Sequence, residues 1–113
     1  DLALAQCVIY LATAPKSNAA HKALNLAKTS AEKSGSLSPP LHVLNAPTRL
    51  MENLGYGKEY KYDHDSEQGF SGQNYFPDRL VPEKFYQPIE RGFEREIIKR
   101  LSYWDKLRQI KNQ

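Results

Sequence analysis

The sequence predicts a mainly α domain: a helical bundle interrupted by a long, irregular, aromatic-rich middle segment. Three observations carry that class. Apolar residues recur every three or four positions near both ends of the chain, as they do along helices with a packed face. The helical spacing lapses between Ser36 and Pro47, where Pro39, Pro40 and Pro47 favour extended backbone. Any strand in the middle is short, since Tyr60, Lys61, Tyr62 and Asp63 alternate for only a few positions before a glycine-rich stretch.

The first helix is read from Leu2 to Thr13. Leu4, Val8 and Leu11 form one stripe with Ala5, Ile9 and Ala12 beside it, and Pro15 ends the run. Ser17 and Asn18 offer side-chain oxygens for the free amides of a second helix, which Gly35 stops. Along that helix Ala20, Ala23, Leu24, Ala27 and Ala31 share a side, and small residues permit close backbone approach. The two helices are therefore expected to pack as an antiparallel hairpin within a compact bundle. Cys7, flanked by Ala5, Val8 and Ile9, is expected to pack in it.

A two-turn helix is expected over Thr48–Leu54, with Leu50, Met51 and Leu54 on its apolar side and Gly55 as its cap. Ser66–Asn74 reads as loop, and Asp78–Leu80 as one helical turn. Pro82 and Pro88 bracket Phe85 and Tyr86 in extended chain. Tyr56, Tyr60, Tyr62, Phe70, Tyr75 and Phe76 need a core or a partner to lie against. From Glu90 the longest helix is expected, its stripe made by Phe93, Ile97, Ile98, Leu101, Trp104, Leu107 and Ile110.

Composition narrows the function classes. At 113 residues, 40% hydrophobic and 26% charged, the chain is neither disordered nor membrane-spanning, and folding as one domain over 1–113 removes roughly two-thirds of the unfolded surface from water. A net charge of +3 is far from the dense basic surface of a dedicated nucleic-acid binder. One cysteine allows no internal disulfide or zinc cluster and fits a reducing compartment. Asp1 followed at once by a helical pattern reads as a piece excised from a longer protein.

Chemistry has few footholds. No GxxxxGK[ST] occurs, so the chain lacks a phosphate-binding loop of its own, and Gly55-Tyr56-Gly57-Lys58 is better read as a helix cap and turn. Asp63-His64-Asp65 invites a metal or acid–base reading. Adjacent positions seldom converge on one atom, however, and a turn whose carboxylates cap backbone amides explains the same residues. In the last helix Arg91, Arg95 and Lys99 stand at four-residue spacing with Arg100 beside them, a stripe along which a DNA backbone could lie. Glu94, Glu96 and Asp105 interrupt it, as on an ordinary solvated face.

Several uncommon words occur in order. Ala5–Ala19 contains Ala14-Pro15-Lys16-Ser17-Asn18; Leu44–Met51 contains Asn45-Ala46-Pro47-Thr48; Gly55–Asp65 is a tyrosine-rich run ending in Asp-His-Asp. Tyr75-Phe76-Pro77 and Tyr86-Gln87-Pro88 follow, the latter with Arg91-Gly92-Phe93-Glu94. Together they resemble the C-terminal region of the RarA/MgsA family of AAA+ ATPases, relatives of the Werner helicase-interacting protein. The chain departs from that pattern at Phe85, where a second Tyr is commoner, at His21, and over Ser66–Gln73.

The resemblance implies an all-helical domain similar to the C-terminal collar domains of clamp loaders, holding AAA+ subunits together as a homotetramer in the bacterial cytoplasm, near the nucleoid. ATP and Mg would bind upstream, leaving this chain without a catalytic, cofactor or metal site. DNA and single-stranded-DNA-binding protein would be partners of the full-length protein. On this reading Tyr60, Tyr62, Tyr75, Phe76, Ile97, Leu101 and Trp104 are the candidate core or subunit contacts. The alternative is a small nucleic-acid- or partner-binding module using Arg91, Arg95, Lys99 and Arg100.

Overall fold

A computed structural model describes all of residues 1–113. It is helical throughout its regular structure, with no strand: α1 (Leu2–Thr13), α2 (Ala19–Ser34), α3 (Arg49–Asn53) and α4 (Glu94–Lys111), plus single 3-10 turns at Leu41–Val43 and Asp63–Asp65. The expected class and element order hold. Thr48 caps α3 by accepting from the Met51 amide at 3.3 Å, which satisfies one of the donors that a helix start leaves free. Gly35 ends α2 at φ 68°, a conformation that only glycine adopts cheaply.

Two boundaries differ from expectation. The last helix begins at Glu94, not Glu90, because the chain turns at Gly92 (φ 56°) before the helix starts. Asp78–Leu80 forms a turn closed by the Leu80 amide on the Pro77 carbonyl at 2.9 Å, without a helical segment.

The larger difference is in packing. No two helices pack against one another, so the antiparallel α1–α2 hairpin and the compact bundle are absent. Between the two helices Ala14 is extended (φ −68°, ψ 141°), and the Pro15 ring seats on Gly92 instead of turning the chain tightly back. The irregular segment instead supplies contacts that link the elements. It meets α2 through Ser30 and Glu83 (2.7 Å), α4 through a Lys84–Asp105 ion pair, and the 3-10 turn at Leu41–Val43 through the Gly57 amide on the Leu41 carbonyl (2.6 Å).

The outcome is an open molecule of 53 × 35 × 33 Å with a radius of gyration of 18.3 Å, where a compact chain of this length measures about 13 Å. Only Ala19, Pro40 and Gly72 are buried.

Candidate assembly surface

Two of the family words meet at the start of α4. Arg91 donates from Nη1 to the Lys16 carbonyl at 3.1 Å, and Pro15 lies so close to Gly92 that a Cβ added there would stand 2.8 Å from its Cγ. Glu94 takes the centre: its Oε2 accepts from the Tyr86 hydroxyl at 2.9 Å and from the Ile89 amide at 3.2 Å. The Ser17 hydroxyl chiefly, with Tyr86, Ile89 and the Arg91 charge, holds the Glu94 carboxyl below its ordinary range. Tyr86 moves the other way, raised by burial and by its bond to Glu94. The words Pro15-Lys16-Ser17 and Tyr86 with Arg91-Gly92-Phe93-Glu94 thus belong to one junction, which fixes where α1 and α2 leave α4.

A second junction docks the loop after the Asp-His-Asp turn onto the far end of α4. Phe70 stacks with Trp104 (centroids 6.4 Å apart, planes 17° apart) and lies under the Arg108 guanidinium at 5.2 Å. Lys111 donates to Ser66 Oγ at 3.0 Å, and Asn112 reaches the Gly72 carbonyl at 3.4 Å. Asp63 accepts from the Ser71 amide at 2.8 Å, and the Ser71 hydroxyl and amide lower its pKa. The turn therefore caps backbone, and Asp63, His64 and Asp65 do not come together with one another or with other donors as a metal-binding group. His64 lies instead against the Tyr62 ring at 4.9 Å.

Of the candidate contact residues, Tyr60, Tyr62 and Tyr75 are each more than half exposed and Trp104 is 42% exposed. Phe76 is partly covered by Phe85, whose ring lies 5.9 Å away, and Ile97 and Leu101 are half-buried. Tyr60 and Tyr62 border an open cleft of about 450 Å³ whose charges are mixed, Lys61 and Lys111 facing Asp65. These residues do not form one patch: Trp104 and Phe70 join the loop to α4, whereas Tyr60 and Tyr62 face solvent.

Each of the candidate basic residues makes one contact within the chain. Besides the Arg91 bond to Lys16, Arg95 donates to the Glu90 carbonyl at 3.0 Å, Lys99 pairs with Glu96 at 2.9 Å, and Arg100 lies 5.5 Å above the Phe93 ring. The Lys99 partner holds the Glu96 carboxyl low.

An uncovered apolar surface lies on α1, the helix expected inside a hairpin. Every residue of α1 from Leu2 to Thr13 is exposed; Leu2 is 84%, Val8 65% and Leu11 69% accessible. Cys7, expected to be packed, is exposed with them. The signal that could have singled α1 out was its lack of any charged residue, since an amphipathic helix of a self-sufficient domain carries polar groups on its outer side.

Comparison with known proteins bears on these features. The family model described as MgsA AAA+ ATPase C terminal matches residues 1–105. A "Replication-associated recombination protein A" of Coxiella burnetii is 48% identical over 110 residues, covering 96% of this chain and 25% of the relative. The Escherichia coli K12 protein of that name is 41% identical over 104 residues, 91% of this chain and 23% of its own length. "ATPase WRNIP1" of Dictyostelium discoideum is 37% identical over 86 residues, 75% of this chain and 10% of that protein. The chain spans about a quarter of the length of the bacterial relatives. With the family model matched over residues 1–105, the chain belongs to the MgsA AAA+ ATPase C-terminal family.

Proposed function

We propose that this chain is the assembly domain of a AAA+ ATPase: it holds copies of itself together, as a homotetramer, and performs no hydrolysis. The observation that carries this reading is surface. A folded monomer of 12.9 kDa exposes about 6,300 Å² by the usual scaling. This chain exposes 9692 Å², an excess of roughly 3,400 Å². A standard interface covers about 800 Å² per partner, so the excess has room for copies of this chain beside the rest of the longer parent protein. Apolar side chains on every helix longer than two turns contribute to it.

On this proposal ATP and Mg are bound by the remainder of the longer parent protein. The assembled ring brings several ATPase modules to one DNA, where single-stranded-DNA-binding protein is a further partner, and raises their effective concentration there. Direct nucleic-acid binding by this chain is the weaker reading, because Glu94, Glu96 and Asp105 interrupt its basic stripe and the net charge is only +3.

Light scattering on a sizing column, over a wide range of concentration, tests the assembly reading; a tetramer is expected and a persistent monomer refutes it. A single-stranded oligonucleotide titrated at low salt tests the other. Weak or absent binding is expected, in place of the steep salt dependence that several phosphate contacts produce.

A further inference from the structure

We propose that α1 is an arm held in one direction by a latch made of Arg91 and Glu94. While both grip the connector between α1 and α2 the arm is fixed; once they let go it swings about residues 16–18, with α2 still tied to the rest. This holds whether or not copies of the chain assemble. α1 is fastened at one end only. It packs on no other helix, each of its 12 residues is exposed, and its single side-chain hydrogen bond, Thr13 Oγ1 to the Ile9 carbonyl, stays within it. α2 has a second fastening beyond its start, where Ser30 donates to Glu83 at 2.7 Å. A helix without packing takes its direction from the few backbone torsions that join it to the rest.

Those torsions lie where the latch grips. Ala14 precedes a proline and is confined to extended backbone (φ −68°, ψ 141°), and the Pro15 ring locks its own φ, so α1 and residues 14–15 move as one piece. The chain can turn at residues 16–18. Arg91 donates from Nη1 to the Lys16 carbonyl at 3.1 Å. The Ser17 oxygen accepts from the Ala19 amide at 3.2 Å, which leaves its hydrogen for the Glu94 carboxylate beside it. Glu94 is itself anchored, its Oε2 accepting from the Tyr86 hydroxyl at 2.9 Å and from the Ile89 amide at 3.2 Å. An ionised carboxylate has room for all three donors because it has no hydrogen of its own to place. The Pro15 ring on Gly92 adds an apolar, non-directional contact, which the latch holds closed and a swing of α1 opens.

The test measures one distance inside one chain. Cys7, exposed on α1, takes a naphthalenesulfonate acceptor, and Trp104, stacked with Phe70 on α4, is the single tryptophan donor. Labelled chain is diluted into an excess of chain lacking both probes (Cys7→Ser with Trp104→Phe), so that transfer within a chain is read even in an oligomer. Cys7 lies about 9 Å from the end of α1, so a swing of about 30° moves it by roughly 5 Å. Time-resolved transfer should give one narrow distance distribution in the wild type. Arg91→Ala should broaden it, and Arg91→Ala with Glu94→Ala should shift its mean by about 5 Å or more while helical circular dichroism is kept. An acceptor on α2 beyond Ser30, carried by Lys33→Cys on the Cys7→Ser background, should not move. Glu96→Gln, which removes a carboxylate paired with Lys99, is the control and is expected to change nothing. A Cys7 distribution in the double variant that superimposes on the wild type overturns the latch. So does a wild-type distribution that is already broad, or an equal broadening at Lys33→Cys, which is general loosening. Where the double variant loses its helical signal, Arg91→Ala alone decides, because it leaves the Tyr86 and Ile89 bonds to Glu94 in place.

Discussion

Glu94 shows how much of this fold hangs on single side chains. Its carboxyl gathers a hydroxyl from Tyr86 and an amide from Ile89, with Ser17 beside it, and so ties three separate stretches of chain together. A carboxyl held below its ordinary 4.5 adds stability above that pH and gives it up as the pH falls through the lowered folded value. Tyr86, raised above 10.0, adds stability below pH 10 and loses it as the pH rises through its raised value. Melting temperatures followed by circular dichroism from pH 7 to pH 3 should fall on the acid side. Glu94→Gln should flatten that fall without abolishing it, since Asp63 is lowered as well. Gly92 is the other single point of control. An alanine there must adopt φ 56° and meet the Pro15 ring, so Gly92→Ala is expected to cost about 1–3 kcal/mol in urea unfolding.

Elements divide by whether their local signals were enough. The bounds of α1 and α2 were legible because Pro15 and Gly35 act within a turn of themselves; α3 was placed, but its cap was assigned to Gly55, whereas Thr48 caps its start and Leu54 its end. The start of α4 was not legible, since the turn at Gly92 that precedes it lies against Pro15, far away in sequence. Phe70 and Trp104 were both recognised as rings in need of cover, but their pairing depends on how the 66–72 loop lies on α4. That docking is open to test through the only tryptophan. Phe70→Ala should shift Trp104 fluorescence to the red and make the loop more sensitive to protease. The aromatic pair itself contributes about 0.5–1.5 kcal/mol beyond the area it covers.

At the scale of the molecule, a chain with three buried residues has little to hold it folded alone. If neighbours supply the missing cover, its stability is a property of the assembly and must depend on concentration. The melting temperature is expected to rise with protein concentration over a hundredfold range. A melting temperature independent of concentration in the wild-type chain would count against an assembly that stabilises the fold.

The sequence by itself determined the helical class, the order of the helices, the irregular aromatic middle and, through uncommon words such as Tyr62-Asp63-His64-Asp65, the family. These follow from interactions within a few residues, or from word order, and need no knowledge of distant neighbours. Tertiary structure alone decided that Pro15 meets Gly92, that Glu94 binds Tyr86, and that α1 lies bare where a hairpin was expected. Helical periodicity reports that a face will be covered without saying by what. The apolar stripe of a helix buried in its own chain and that of a helix covered by another chain obey the same spacing, because the hydrophobic effect does not distinguish the covalent origin of the surface that excludes water.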